Sequence, residues 1–212
     1  MSPQLHRGTL VTLEGGEGSG KSSQADALAT LLREHDYDVT ITREPAGTEL
    51  GEIVKGIFQR GVTVTAGAEL LLFEAARAQH VQEVIRPALE RGKVILCDRY
   101  TDSTLAYQGY GRGLSLDHLR AVNHIATGGL PPHFTILLDL PPEIGLARKD
   151  HETLGDSIGK ESLEFHQRVR AGYLELAQRE PRRMVVVDAS LPKDQVTQAA
   201  WQHLQRFLDH LL

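Results

Sequence analysis

Disulfide chemistry is closed to this chain, because its one cysteine, Cys97, has no intrachain partner. That thiol sits in the apolar run KVILCD, where cysteine behaves as a small buried hydrophobe. Long hydrophobic runs are missing too. No stretch approaches the ~20 apolar residues that span a bilayer, and the opening MSPQLHRGTL lacks the apolar core of a secretory signal. The expectation is a cytoplasmic protein with no membrane partner. There is no excess of positive charge: 23 Lys and Arg against 28 Asp and Glu leave a formal net charge of −5, which argues against a nucleic-acid-binding surface. Repeats, low-complexity tracts and linker-like segments are also absent, so residues 1–212 are read as a single domain.

What is present is alternation. Short β-branched or aliphatic runs at 9–13, 38–42, 93–98, 134–140 and 183–188 are separated by longer segments with helical spacing of apolar residues. Strands alternating with helices predict an α/β fold with a doubly wound parallel sheet. Consecutive rather than alternating apolar residues within the runs predict strands covered by helices on both faces. The segment RKDHETLGDSIGKES, 148–162, mixes charge and glycine and predicts a mobile surface segment.

The stretch LVTLEGGEGSGKSSQADAL places its glycines where a strand hands over to a helix. Gly15, four residues, then Gly20, Lys21 and Ser22 fit G-x-x-x-x-G-K-[ST], with a predicted strand before and a helix-like segment after. Glycines let successive backbone N–H groups point at one centre, and the following helix N-terminus adds positive potential, which makes a nest for phosphate. Gly15, Gly16, Glu17, Gly18, Ser19, Gly20, Lys21, Ser22 and Ser23 are the predicted ATP-binding residues. Lys21 would reach the β- and γ-phosphates, and Ser22 would ligate Mg²⁺. The base-reading N-K-x-D of GTPases is absent, and the one D-x-x-G, DSIG at 156–159, lies too late in the chain, so a GTPase is disfavoured.

CDRYTDSTLAYQGYGRG begins at the carboxyl end of the third predicted strand, the edge that lines the ligand crevice in open α/β sheets. Asp98 can therefore help Ser22 hold hydrated Mg²⁺, and Arg99 offers a bidentate fork to a phosphate. Arg43, in TREPAGTELG, lies just past the second strand at the same edge. Phe73 and Arg77 are four apart and share a helix face, on which a ring and a guanidinium could meet one flat base. The alternative is that Leu70 to Phe73 are core and Arg77 is solvated.

EGGEGSGKSSQ, TREPAGTELGE, LLFEAARAQHV, CDRYTDSTLAYQGYGRG and LLDLPPEIGL together resemble the successive signatures of thymidylate kinases, in the family's order and from residue 10 to about 176. The resemblance implies a three-layer P-loop nucleoside-monophosphate-kinase fold with a five-stranded parallel sheet, transfer of the ATP γ-phosphoryl to dTMP for DNA precursor synthesis, and a homodimer. It implies that Arg43 and Arg99 bind the dTMP phosphate, that Glu17 lies near the sugar 3′-hydroxyl, and that Pro45 is cis and aims Arg43. Phe73 would stack on thymine and Arg77 reach its O4, while Tyr107 would disfavour a ribose 2′-hydroxyl, with Ser103, Thr104 and Gln108 in the same pocket. VVVDASLPKDQV resembles the adenine-packing segment, which points to Ala189 and Pro192.

The chain departs from the family at two places. Glycine stands at 18, where some members carry a basic residue, and Ser157 stands where a lid arginine is common. The lid charge is therefore assigned to Arg148, which joins Ala189 in the predicted ATP site and with Lys21 and Arg99 completes the predicted catalytic set. The histidines receive no role, and His80 is placed at the surface or an interface. Two other readings stay open: a nucleotide-binding regulatory module that has lost phosphoryl transfer, and a kinase with a different acceptor.

Overall fold

The computed structural model describes residues 8–148 and 158–211. Five parallel strands form one sheet in the order β2-β3-β1-β4-β5: β1 Thr9–Glu14, β2 Val39–Arg43, β3 Val94–Asp98, β4 Phe134–Asp139 and β5 Met184–Asp188. All five lie within a residue or so of the predicted runs. The three central strands β3, β1 and β4 are buried on both faces, all six residues of β1 are closed from solvent, and the edge strands β2 and β5 are partly exposed.

The helices in chain order are α1 Lys21–Glu34, α2 Glu49–Gln59, α3 Ala66–His80, α4 Arg86–Glu90, α5 Thr101–Thr104, α6 Leu116–Thr127, α7 Pro142–Arg148, α8 Leu163–Arg179 and α9 Lys193–Asp209. Two π-helical segments, Val81–Ile85 and Leu105–Gly111, continue α3 and α5. On one face α1 and α9 bury Leu28, Leu32, Ala200 and Leu204 against Val11, Leu13 and Ile136. On the other, α8 and the second π-helical segment pack Phe165, Val169, Leu105 and Ala106 with Leu137. Helix starts follow local chemistry: the hydroxyls of Thr48, Thr65 and Ser162 accept from the N–H groups of Gly51, Ala68 and Phe165. None of the described helices is long and apolar enough to cross a membrane.

This order puts β1 between β3 and β4, so the chain reverses its winding around the strand that carries the glycine loop. Loops at the carboxyl ends of β1, β2 and β3 therefore converge on one crevice. Cys97 is fully buried, as expected of that run. His80 corrects the surface assignment. It is fully buried, with Nε2 2.6 Å from the Thr42 hydroxyl and Nδ1 3.1 Å from Glu44, because α3 lays this polar residue directly over the end of β2.

Close approach of α8 to the Leu105–Gly111 segment depends on Gly172, where a Cβ would stand 2.5 Å from the Tyr110 ring. Gly172→Ala is expected to destabilise the fold by roughly 1–3 kcal/mol, since Tyr110 must move as a whole. Chemical denaturation of parent and variant checks it.

Candidate functional site

The glycine loop is shaped by its own backbone. Gly15, Gly18 and Gly20 have φ of 145°, 66° and 87°, a region that L side chains rarely adopt. The Ser19 hydroxyl donates to the Gly16 carbonyl at 2.9 Å, and Lys21 Nζ donates to Gly16 at 2.8 Å and Gly15 at 3.2 Å. The ammonium is thereby tucked across the loop at the start of α1. Burial, then the charge of Arg99, pull Lys21 down to about 8, although Asp98 and Glu17 favour its charged form. An anion bound in the loop would relieve that penalty.

Gly18 leaves no room for the basic side chain that some family members carry there. A Cβ on it would lie 2.1 Å from the Gly145 carbonyl, and a Cβ on Gly145 would lie 2.1 Å from the carbonyl of Glu17. The loop and α7 touch backbone to backbone. Arg148 closes α7 and donates from Nη1 to the Ala189 carbonyl at 3.1 Å, so these two predicted ATP-site residues are neighbours. Pro192 caps α9. The rest of the predicted lid, 149–157 with Lys149 and Ser157, lies outside the described residues.

Ser22 Oγ donates to Asp98 Oδ2 at 2.6 Å beside the loop. The pair sets two hard oxygens side by side, and among the described residues no group of three or more His, Cys, Asp or Glu could hold an ion alone. A small divalent ion with most of its ligands from phosphate and water fits that donor set.

Against the edge of the loop is a cavity of about 240 Å³, lined by all ten residues assigned to the acceptor: Glu17, Arg43, Pro45, Phe73, Arg77, Arg99, Ser103, Thr104, Tyr107 and Gln108. Glu44–Pro45 is a cis peptide bond. Arg99 joins the two halves of the crevice. Its Nη2 donates to Glu17 Oε1 at 2.6 Å and to the Tyr107 hydroxyl at 3.0 Å, its Nη1 donates to the Gly15 carbonyl at 3.2 Å, and its backbone is left-handed with φ 72°. Tyr107 in turn donates to Glu17 at 3.0 Å. Phe73 stacks on Phe58 with centroids 4.6 Å apart, which gives the cavity a flat apolar wall.

Arg77 is 3% exposed, which removes the solvated alternative. It donates to Glu44 at 2.8 Å, to Thr104 and Asn123 at 2.7 Å, to the Tyr100 carbonyl at 3.0 Å, and also to Glu74. Burial opposes its charge, but Glu44 and Glu74 outweigh burial and hold it protonated.

Sequence reasoning missed Glu14, Glu44, Glu69 and Glu74, all buried against the cavity's polar groups. Glu14 Oε1 accepts from the Tyr100 N–H at 2.8 Å, and Oε2 accepts from Ser103 Oγ at 2.6 Å and the Tyr173 hydroxyl at 2.9 Å. The carboxylate thus anchors the turn on which Arg99 rides. Its one signal was position: an acidic residue ending a strand of β-branched and aliphatic residues immediately before the glycine loop.

Residues 13–200 match the family model described as thymidylate kinase. The chain belongs to the thymidylate kinase family. Thymidylate kinases of Synechococcus sp. (strain JA-3-3Ab) and Thermomicrobium roseum are 52% and 53% identical to it over 192 and 193 residues, covering 91% of this chain and 93% and 92% of theirs. A crystal structure of thymidylate kinase from Ehrlichia chaffeensis superposes with a TM-score of 0.78 at 30% identity, covering 93% of this chain and 98% of that one. The three-layer, five-stranded nucleoside-monophosphate-kinase fold expected from the resemblance is thereby established.

In this thymidylate kinase fold Glu14 is a buried acid whose ionisation opposes folding. Burial first, then Asp102, push it up to about 7, against the hydrogen bonds of Ser103 and Tyr173 and the charge of Arg99. A native value above the unfolded one means that the native state holds the proton longer. Glu14's contribution to stability is therefore fully present below about pH 4.5 and lost as pH rises through about 7. Glu14→Gln has no such proton to lose, so its stability relative to the parent should rise between pH 5 and pH 8. Denaturant unfolding at several pH values checks this: a constant difference contradicts it.

Proposed function

We propose that this chain transfers the γ-phosphoryl group of ATP to the 5′-phosphate of dTMP, giving ADP and dTDP for DNA precursor synthesis. The observation that carries the reading is the shared edge of the two sites: Arg99 touches the glycine loop through Gly15 and the acceptor cavity through Tyr107. A nucleotide switch needs no second pocket, so the cavity disfavours a regulatory module.

The acceptor supplies its own nucleophile. With a second pKa near ~6, a phosphate monoester is mostly a dianion at neutral pH, and no residue need remove a proton. One of its oxygens forms the new bond to the γ-phosphorus as the bond to the ADP oxygen breaks. Repulsion between the two phosphates is the obstacle, and the residues act by positioning and neutralising charge. Loop N–H groups and Lys21 hold the donor phosphates, and Arg99 and Arg43 hold the acceptor phosphate. Mg²⁺, when bound through Ser22 and Asp98, supplies charge neutralisation on the donor phosphates. Phe73 faces the base, Arg77 supports its carbonyl edge, and Tyr107 with Glu17 closes the sugar side.

Arg148 provides the lid charge from the Ala189 side. The reading includes one domain over 1–212 with a lid at about 148–162, of which 149–157 lie outside the described residues, a homodimer and a cytoplasmic location, with no nucleic-acid or membrane partner.

An ADP-release assay with ATP, Mg²⁺ and a panel of nucleoside monophosphates tests the proposal. Release with dTMP should exceed release with dCMP, dGMP and AMP; none with any acceptor would overturn it. Lys21→Ala is expected to lower turnover by ~10² or more with the fold retained, because its charge acts on the transferring group. Arg99→Ala should raise KM for dTMP by about tenfold or more and leave ATP binding nearly unchanged, as loss of one charge-assisted phosphate contact implies. Collapse of ATP affinity instead would mean that Arg99 serves the donor.

A further inference from the structure

Gln108 sits in the π-helical Leu105–Gly111 segment, 3% exposed, and lines the acceptor cavity. Its amide nitrogen donates to Glu69 Oε1 at 2.8 Å. Its amide oxygen takes no hydrogen bond among the described residues and is not sealed away from the cavity. Glu69, 3% exposed at the start of α3, is gripped by Arg112, whose Nη2 donates to Oε2 at 2.9 Å and whose Nε donates to Oε1 at 3.2 Å. Arg112 is itself pinned, with its guanidinium 4.8 Å above the Phe165 ring and a second ion pair to Glu161.

An arginine-paired carboxylate can only accept hydrogen bonds. Turning Gln108 over would set its carbonyl oxygen against Glu69 Oε1 and leave two acceptors facing each other in a buried place. The amide therefore has one orientation: nitrogen toward Glu69 and oxygen toward the cavity.

We infer that Glu69 is a positioning residue for base choice, holding Gln108 so that its carbonyl oxygen faces the bound base as an acceptor. The inference rests on the acceptor reading above and deepens it. Thymine and uracil carry an N3–H donor between two carbonyls, which satisfies an acceptor at that place. Cytosine presents a bare N3 with an unshared pair, so two acceptors would oppose each other with water excluded. The device separates bases by N3 protonation and is blind to the thymine methyl group. Arg77 already donates to Glu44 and Glu74, and a guanidinium can only donate, so it cannot serve as this acceptor.

The test is kcat/KM for dTMP, dUMP and dCMP in the parent, in Glu69→Gln and in Gln108→Met, read by ADP release. In Glu69→Gln the new amide can donate, so Gln108 is free to turn its nitrogen inward. The dTMP-to-dCMP ratio should fall roughly 10- to 100-fold, the scale of one buried mispaired polar group. The change should sit mainly in KM, with the dTMP-to-dUMP ratio moving little. A purely structural role for Glu69 would lower all three acceptors together and leave the dTMP-to-dCMP ratio unmoved, and that result overturns the inference. Gln108→Met leaves the Glu69–Arg112 pair intact and must also narrow the ratio. An unchanged ratio there overturns the inference even if Glu69→Gln does not fold. Failure of the parent to release ADP with any acceptor would instead defeat the kinase reading, so the two failures are distinguishable.

Discussion

The ion pair between Glu17 and Arg99, 2.6 Å apart at the lip of the glycine loop, is the constraint on which the crevice depends. Arg99 stands in a left-handed backbone conformation that a non-glycine residue adopts only when its surroundings compel it. Three contacts compel it: its own N–H donates to the Leu13 carbonyl at 3.0 Å, and the next residues are held by Glu14 through the Tyr100 N–H and the Ser103 hydroxyl. The end of β1 thus fixes the turn that follows β3. A guanidinium placed this way is already fixed at the edge of the acceptor cavity, so in the proposed reaction little reorganisation would remain at the moment of phosphoryl transfer.

A second consequence is the density of buried charge around the cavity. Arg77 with Glu44 and Glu74, Arg112 with Glu69 and Glu161, and Arg183 with Asp102 each tie one element to another. Such pairs are weak sources of net stability, because desolvation offsets most of their attraction. Removing one partner, however, strands the other, so each network admits one arrangement of the side chains around it. The walls that face a nucleotide are set by these ties, with Phe73 on Phe58 as the apolar exception.

The strands and the glycine loop were legible because their signals are local. Consecutive apolar residues marked β1, β3 and β4 as buried on both faces, and Gly15 to Ser22 announced an anion nest by spacing alone. Strand-end position and helical spacing pointed to Arg43, Arg99, Phe73 and Arg77, but only the resemblance to a family gathered them with Tyr107 into one pocket, since nothing local says that Arg43 and Tyr107 meet. Glu14, Glu69, Glu74 and His80 stayed hidden for a physical reason. A charged or polar residue at a strand end or on a helix reads as solvent-exposed until its partner, tens of residues away, is known: Glu69 needs Arg112, Glu44 needs Arg77 and His80 needs Thr42. The π-helical turns were equally silent, because widening from α to π depends on packing rather than on composition.

The central claim is that donor and acceptor sites lie end to end across Arg99, so that one molecule could fill both. A ligand joining adenosine to thymidine through a chain of phosphates tests this most directly by calorimetric titration. If the two sites are continuous, the linked ligand gains effective concentration and should bind about 10²-fold or more tightly than either ATP or dTMP alone. Saturating dTMP should then compete it away, and so should saturating ATP. Affinity no better than that of the stronger single nucleotide, with competition by only one of them, would contradict the account.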